Sequence, residues 1–439
     1  MKKLQICLLL VFHISLWAGP ILPNWAGDFW QTEKQKGEIS QAMELFRQRD
    51  YNGCYQHLKK ITETMPGLPP ARFTMALFYL SMENNAQEAR FSLESGVSES
   101  PDYPGIYILF GRIALMENRF SDAQLHYEKA LSLAEKHQEN QEYKNFLLKQ
   151  CYIGIASVCE FRKDWTSARR YFSLALEIGQ EDGELRQKLA QVFFLMGMEK
   201  ESFQELQKAF LSNRSLATPE IAISHFHTMN GQSEKASKWI QAAIKQYPKD
   251  SKVIYQAALW YYRDGQIAQA QMLADQSDLS GWDNPNLKIL RGLIAWRKRE
   301  YSKAEKILHE VYHESPGSLV VGNYLALSLA EQPSERERNK GLQWALINSR
   351  LYPENAQAIA TLGWVYYHIG NMPEAEQHLQ RAMSMKDANG DTAYYLAQLF
   401  AKTNRIENAK RLLSMALQKR DNFSLRKEAQ ELLEQLSKK

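Results

Sequence analysis

An all-α solenoid, built from antiparallel helix pairs stacked one on the next, is the fold class that this sequence predicts. Small residues recur along it with a 34-residue period, three further positions keep step with that recurrence, and the composition is that of a helix-rich chain. Self-similarity at a fixed period of roughly 20–50 residues marks a repeat array, in which each unit buries its apolar face only against its neighbours.

At 439 residues the chain exceeds what one compact core covers, so either several domains or an open-ended array is required. Charged residues make up 24% and hydrophobic ones 44%, while glycine (22) and proline (14) are scarce, which favours packed helices over disorder. The net charge of +4 arises from 54 basic and 50 acidic residues spread along the chain. No basic stripe forms, so nucleic acid is excluded as a partner.

In chain order, the first element is a targeting segment. Lys2 and Lys3 precede an apolar run from Leu4 to Trp17, followed by Ala18 and Gly19, which is the order of a secretory signal and predicts an exported, periplasmic or envelope-associated protein. Pro20 blocks a cut after Gly19, and a cut after Ala18 places Leu16 where a small residue is usual, so a cleaved signal and an uncleaved anchor both fit. The organisation read from the sequence is a signal or anchor over 1–19, a linker over 20–34, the solenoid over 35–421 and a capping helix over 422–439.

Within the solenoid, the small residue that opens each second helix is Ala89, Ala123, Ala168, Ser202, Ala236, Ala270, Ala304, Gly341, Ala375 and Ala409, with Cys54 one step earlier. The spacing is 34 except across Lys136–Tyr143 and Gln332–Asn339, two polar insertions expected to lengthen loops. Twelve residues before the ladder stand Gly111, Ala156, Ala190, Ser224, Ala258, Gly292, Gly363 and Ala397; seven after it stand Ala130, Ala175, Ala209, Ala243, Ala382 and Ala416. Twelve after it come Pro66, Pro101, Pro248, Pro316 and Pro353, where proline stops a helix it cannot continue. Two helices approach closely only where small side chains let their backbones near one another.

These registers resemble the tetratricopeptide repeat family. Thr361–Met383 (TLGWVYYHIGNMPEAEQHLQRAM) carries Leu362, Gly363, Tyr366, Ala375, Leu379 and Ala382 at the family's signature spacings, and Phe110–Leu131 is nearly as good. The segments Tyr51–Pro66, Leu77–Pro101 and Val320–Pro353 keep the period but lose part of the signature. The resemblance spans about residues 35–420 and implies a right-handed superhelix of ten or eleven helix pairs. The last stretch, Leu425–Leu436, reads as an amphipathic terminal helix whose polar outer face would cap the array.

Candidate chemistry is sparse. His309-Glu310-Val311-Tyr312-His313 matches H-E-x-x-H, which on a helix aims two imidazoles at zinc with the Glu as general base. Val311, however, takes the register that Ala holds in most units, Pro316 stops the helix, and Leu319 stands where a third His would be needed. A zinc metalloprotease is therefore the weakest of the function readings. His227 falls in the register of Tyr261, Tyr366 and Phe400, so it is expected to pack. Cys54, Cys151 and Cys159 are an odd set without CxxC spacing, expected to be free thiols. No phosphate loop, G-x-S-x-G motif or cofactor signature occurs, and no enzyme is predicted.

The resemblance further implies that first helices line a concave surface. Its inward positions are Tyr255, Tyr262 and Arg263, then Trp296 and Arg297, then Trp364, Tyr367 and His368, then Tyr394; earlier units place Ile108, Arg112, Leu115 and Met116, or Gln187, Gln191 and Phe194, there. Aromatic and Arg side chains are enriched in binding hot spots, but aromatics at helical spacing also serve as core, so ligand groove and ordinary packing both stay open. The leading expectation is a scaffold that holds a protein or peptide in that groove; the alternative is the scaffold of a polysaccharide secretion or modification machine whose aromatics touch glycan.

Overall fold

A computed structural model describes residues 33–438, apart from 66, 139, 180, 280–283 and 419–422; the N-terminal signal segment and linker lie outside these residues. Among the described residues there are 23 helices and no strand. They are α1 (Glu33–Arg47), α2 (Tyr51–Thr64), α3 (Ala71–Met82), α4 (Ala86–Glu99), α5 (Pro104–Met116), α6 (Phe120–Lys136), α7 (Gln141–Phe161), α8 (Trp165–Glu177), α9 (Gly183–Leu195) and α10 (Glu199–Ser212). Then follow α11 (Pro219–Met229), α12 (Ser233–Gln246), α13 (Ser251–Arg263), α14 (Ile267–Leu279), α15 (Pro285–Arg297), α16 (Tyr301–Glu314), α17 (Leu319–Ala330) and α18 (Glu335–Leu351). The last are α19 (Ala356–Ile369), α20 (Met372–Ser384), α21 (Gly390–Lys402), α22 (Ile406–Gln418) and α23 (Arg426–Ser437). Eleven consecutive pairs and one further helix result. They group into two compact units, divided between Leu216 and Ala217.

The ladder residues are the contact line inside each pair. Cys54, Ala89, Ala123, Ala168, Ser202, Ala236, Ala270, Ala304, Ala375 and Ala409 are all fully buried. Four residues further along, usually a large side chain enters the notch left by the small residue of the first helix. A Cβ added at Gly292 would lie 2.6 Å from Leu308, at Gly363 2.7 Å from Leu379, and at Gly111 2.9 Å from Tyr127. Leu58, Leu93, Phe172, Leu206, Ile240 and Leu413 fill the same place in other units. In the Gly341 unit the volumes trade places: Leu329 stands on the first helix and Ala345 on the second, both buried. That exchange keeps the pair packed at constant volume, which is why this unit holds the period without the signature.

The turn inside each pair is equally regular. Five residues before the ladder the backbone is left-handed at Arg49, Asn84, Asn118, Lys163, Gly197, Gly231, Gly265, Arg299, Gly370 and Asn404. This residue reverses the chain after the first helix, and the amide that follows donates back to a carbonyl five residues earlier, as Arg119 N does to Ala114 O at 2.8 Å. Second helices then start on side-chain caps such as Asp50, Asn85, Asp164 and Asn371, each accepting from an amide three residues on.

The two polar insertions do not lengthen loops. They lengthen helices: α6 and α18 reach 17 residues and α7 reaches 21. Asn140 caps α7 with Glu142 in its first turn, and Glu335 and Glu337 open α18, so these polar residues continue a helix into solvent where no core is needed. The terminal helix α23 spans Arg426–Ser437.

A Val at Gly292 must displace Leu308 and should lower unfolding stability by about 1–3 kcal/mol. Gly37, on a helix face with nothing within 4 Å of an added Cβ, should gain about 0.5–1 kcal/mol on becoming Ala. Chemical denaturation of both variants tests the contact line; equal stability of Gly292→Val and wild type would show that close approach is not required there.

Candidate functional site

The expected groove residues of the second unit lie on first helices, and several are built into a closed interior. Trp296 and Trp364 are each only 6% exposed. Trp296 meets Tyr324 edge-on at 5.1 Å, and Trp364 is sandwiched between Tyr367 (4.7 Å, 5° between planes) and Tyr395 (4.5 Å, 20°). One apolar cluster runs from Ala295 and Trp296 through Trp364, Tyr395 and Phe400 to Phe423, Leu425 and Leu436. Neither tryptophan presents a broad face for stacking on a sugar.

Charge crosses this interior. Arg297 at the end of α15 pairs with Glu428 of α23 at 2.5 Å, 131 residues later, and both side chains are largely covered. Asp391, in the first turn of α21, accepts from the backbone amides of Leu425 (2.8 Å) and Ser424 (3.3 Å), so it caps α23, whose own N-cap side chain makes no such bond. Burial raises the Asp391 pKa, while those amides and Arg297 pull it back. Tyr262 of α13 lies against Tyr324 of α17; burial, and then that neighbour, push its phenol well above the ordinary value.

A second network surrounds Glu331, which follows α17. Its Oε1 accepts from Trp364 Nε1 at 3.1 Å and pairs with His368 Nε2 at 3.3 Å. Burial works to raise the Glu331 pKa, but the contacts from His368 and Trp364 outweigh it and hold the carboxyl below the usual range. Lys402 Nζ sits 4.4 Å over the Tyr367 ring, and Tyr394 Oη accepts from Gln398 at 2.7 Å. Tyr255, Tyr262, Tyr367 and Tyr394 are half-buried, and Arg263 alone of the nine residues is exposed. Even so, the walls around Arg263 lower its pKa by desolvation.

In the first unit Ile108 and Leu115 are core, Met116 is 50% exposed, and Arg112, Gln187, Gln191 and Phe194 are half-buried. Met116 shares with Arg263, Arg297 and His368, also expected to face inward, one register seven residues before the ladder. It is the last residue of most first helices: Met82, Met116, Phe161 and Leu195 in the first unit, then Met229, Arg263, Arg297 and Lys402 in the second, with His368 one residue before the end of α19. Cations suit a helix C-terminus, where unpaired carbonyls gather, whereas apolar side chains there gain nothing from the helix itself. Met116, Phe161 and Met229 nevertheless expose 50%, 39% and 56% of their surface.

The H-E-x-x-H segment lies on α16. Val311 is buried as its register requires, while the rings of His309 and His313 touch each other at 4.5 Å and His309 and Tyr312 face Trp344. Among the described residues no group of three or more His, Cys, Asp or Glu could hold a metal ion. His227 is 1% exposed and bonds Gln232 at 2.7 Å, a packed residue as its register predicts. Cys54, Cys151 and Cys159 are free thiols; burial pushes Cys54 up to about 12 and Cys151 higher still, so both stay protonated. No described helix is long and apolar enough to cross a membrane.

No family model matches the chain. A TPR repeat-containing protein of Pseudomonas aeruginosa, PA4667, is 23% identical over 235 residues, which is 53% of this chain and 33% of that protein; the chain thus aligns with a third of its relative. Among solved structures, yeast Tom70 aligns over 92% of this chain and 96% of its own (15% identity, TM-score 0.40), and the Thermus thermophilus TPR protein TTC0263 over 42% and 99% (16%, 0.37). The helix pairs and registers of this chain carry the fold assignment by themselves.

The Glu331 network yields a pH test. A carboxylate whose folded pKa is depressed contributes stability that is present above its unfolded pKa and is lost as pH falls through the folded value. Glu331→Gln should therefore cost about 1–2 kcal/mol near neutral pH, and its gap to wild type should close below about pH 4. Thermal melts from pH 7 to 3 read both; a gap independent of pH would dismiss the charged role.

Proposed function

Because the chain is a tetratricopeptide repeat array, we propose that it is a non-enzymatic scaffold that holds a protein or peptide partner on the inner faces of its first helices. The observation that carries this reading is the apolar row at the ends of those helices. Met82, Met116, Phe161 and Leu195 recur once per unit at one register, and Met116 and Phe161 stay open to water. Met82 packs partly on the core and Phe161 stacks on Phe120 at 4.7 Å, yet exposed apolar surface at one register of successive pairs is what a partner needs, and an extended segment or a helix could lie along it. In the second unit, taken by itself, Arg263, Tyr255, Tyr367 and Tyr394 are the contact residues in this reading, since Arg and Tyr favour hot-spot contacts. The buried Trp296 and Trp364 serve packing in this reading, which leaves no platform for glycan.

Export to the cell envelope is part of the proposal. It is supported by the order of Lys2 and Lys3, the apolar run to Trp17 and the small Ala18 and Gly19. Catalysis is not proposed, since the H-E-x-x-H imidazoles pack against one another and Trp344 instead of converging with a third ligand.

A photo-crosslinking residue at Met116 or Phe161, activated in intact cells, should give discrete adducts that the same residue at exposed Lys235 on α12 does not. Indistinguishable patterns at the three positions would reject the apolar row as the partner surface. N-terminal sequencing of the chain recovered from an envelope extract should begin after Ala18 or at Met1 with membrane retention; intact chain found in the cytosol alone would reject export.

A further inference from the structure

The helix α23 occupies a place that the sequence assigned to a simple cap. Every other first helix is held on its C-terminal side by the second helix of its pair; for α23 no such helix stands among the described residues. It packs on α22 and α21, as a first helix packs on the preceding pair, and reaches beyond them into the interior of the second unit. The Phe423 ring fills the space beside Gly390, where an added Cβ would overlap it. Asp391 supplies the N-terminal cap that α23 lacks locally, and Arg297 reaches across to Glu428. Behind them, Ala429 and Leu436 are buried in the cluster that contains Trp296 and Trp364.

That seat is imperfectly matched. Trp296 Nε1 and Glu428 Oε2 are both buried without a hydrogen-bond partner. Unmade bonds of this sort weaken an interface relative to one in which every polar atom is paired. The pieces of recognition are nonetheless all present: a carboxylate cap for a helix N-terminus, a cation for a side-chain carboxylate and an apolar bed between them.

We propose that α23 is an intramolecular occupant of a helix-binding site, and that the partner of the second unit is an amphipathic helix of the same pattern which displaces it. The required pattern is read from α23 itself: a carboxylate at the position of Glu428, a small residue next to it at the position of Ala429, and apolar residues at the positions of Leu432, Leu433 and Leu436. This rests on the scaffold reading and names the partner's chemistry. Tethering gives the native helix a high effective concentration, so a free helix competes poorly until α23 is loosened.

The test uses the full-length chain and a fluorescein-labelled peptide of residues 423–439. Glu428→Arg combined with Ala429→Arg should release α23, read as loss of hydrogen-exchange protection over its amides, and the peptide should then bind at least about ten-fold tighter than to wild type. A peptide carrying Arg at the Glu428 position should lose that gain and recover it on a chain that also carries Arg297→Glu. The proposal is overturned if α23 is released and the peptide binds no better, or if α23 keeps its protection in the double variant. Arg297→Glu with Glu428→Arg, the charge exchange alone, should keep α23 protected and shows that the fold tolerates the changes. Crosslinks at Met116 are unaffected by either result, so the failure of this proposal is separable from that of the scaffold reading.

Discussion

Close approach of two helix backbones, at points where a glycine or a single methyl fits and nothing larger does, is the constraint on which the whole structure depends. At Gly292, Gly363 and Gly111 the notch is filled by Leu308, Leu379 and Tyr127. The left-handed turn, the start of the second helix and the direction of each inner face follow from that fit, because the turn must return the chain at one distance and one angle. A repeat gains its apolar burial from this pairing and from its neighbours, so no unit needs a core of its own.

Much of this was legible in the sequence, and the reason is local. A small residue at a helix crossing is required whatever lies around it, so the ladder and its companion registers show through in every unit, even where Leu329 and Ala345 exchange volumes. The turn position was legible only in part: Gly or Asn stands at seven of the ten sites, while Arg49, Lys163 and Arg299 adopt a backbone conformation that their side chains disfavour and that the fold imposes. The insertions were read as loops since polar composition alone does not separate a solvated helix from a loop. Glu142 and the paired Glu335 and Glu337, each just inside a helix start, were the available signal.

The inner face shows where local reasoning stops. Trp296 and Trp364 have the spacing of groove residues, and spacing is all a sequence offers. Whether such a side chain meets water or another first helix depends on how tightly successive pairs curve, a property of the sum of many small crossing angles. The Arg297 to Glu428 contact joins helices four first-helix steps apart and has no counterpart in any single repeat. Its setting explains why a charge is tolerated there: burial of one guanidinium is offset by a carboxylate at hydrogen-bond distance, while Asp391 is steadied by two amides at a helix start.

Tyr127 lies against two glycines of different pairs. Its ring fills the notch of Gly111 in its own pair and also blocks a Cβ at Gly154 of the next, where the ring would be 2.3 Å away. Three positions in two repeats therefore share one side chain. Repeat arrays diversify by duplicating, deleting and exchanging whole modules, and such events succeed where the junction is generic. Here the junction is specific: a module that carried Gly154 elsewhere would meet a Leu or Phe and leave a hole, and one that replaced it would need a glycine of its own. The pairs α5–α6 and α7–α8 are thus coupled through one ring, and replacing either alone would disturb the other's packing.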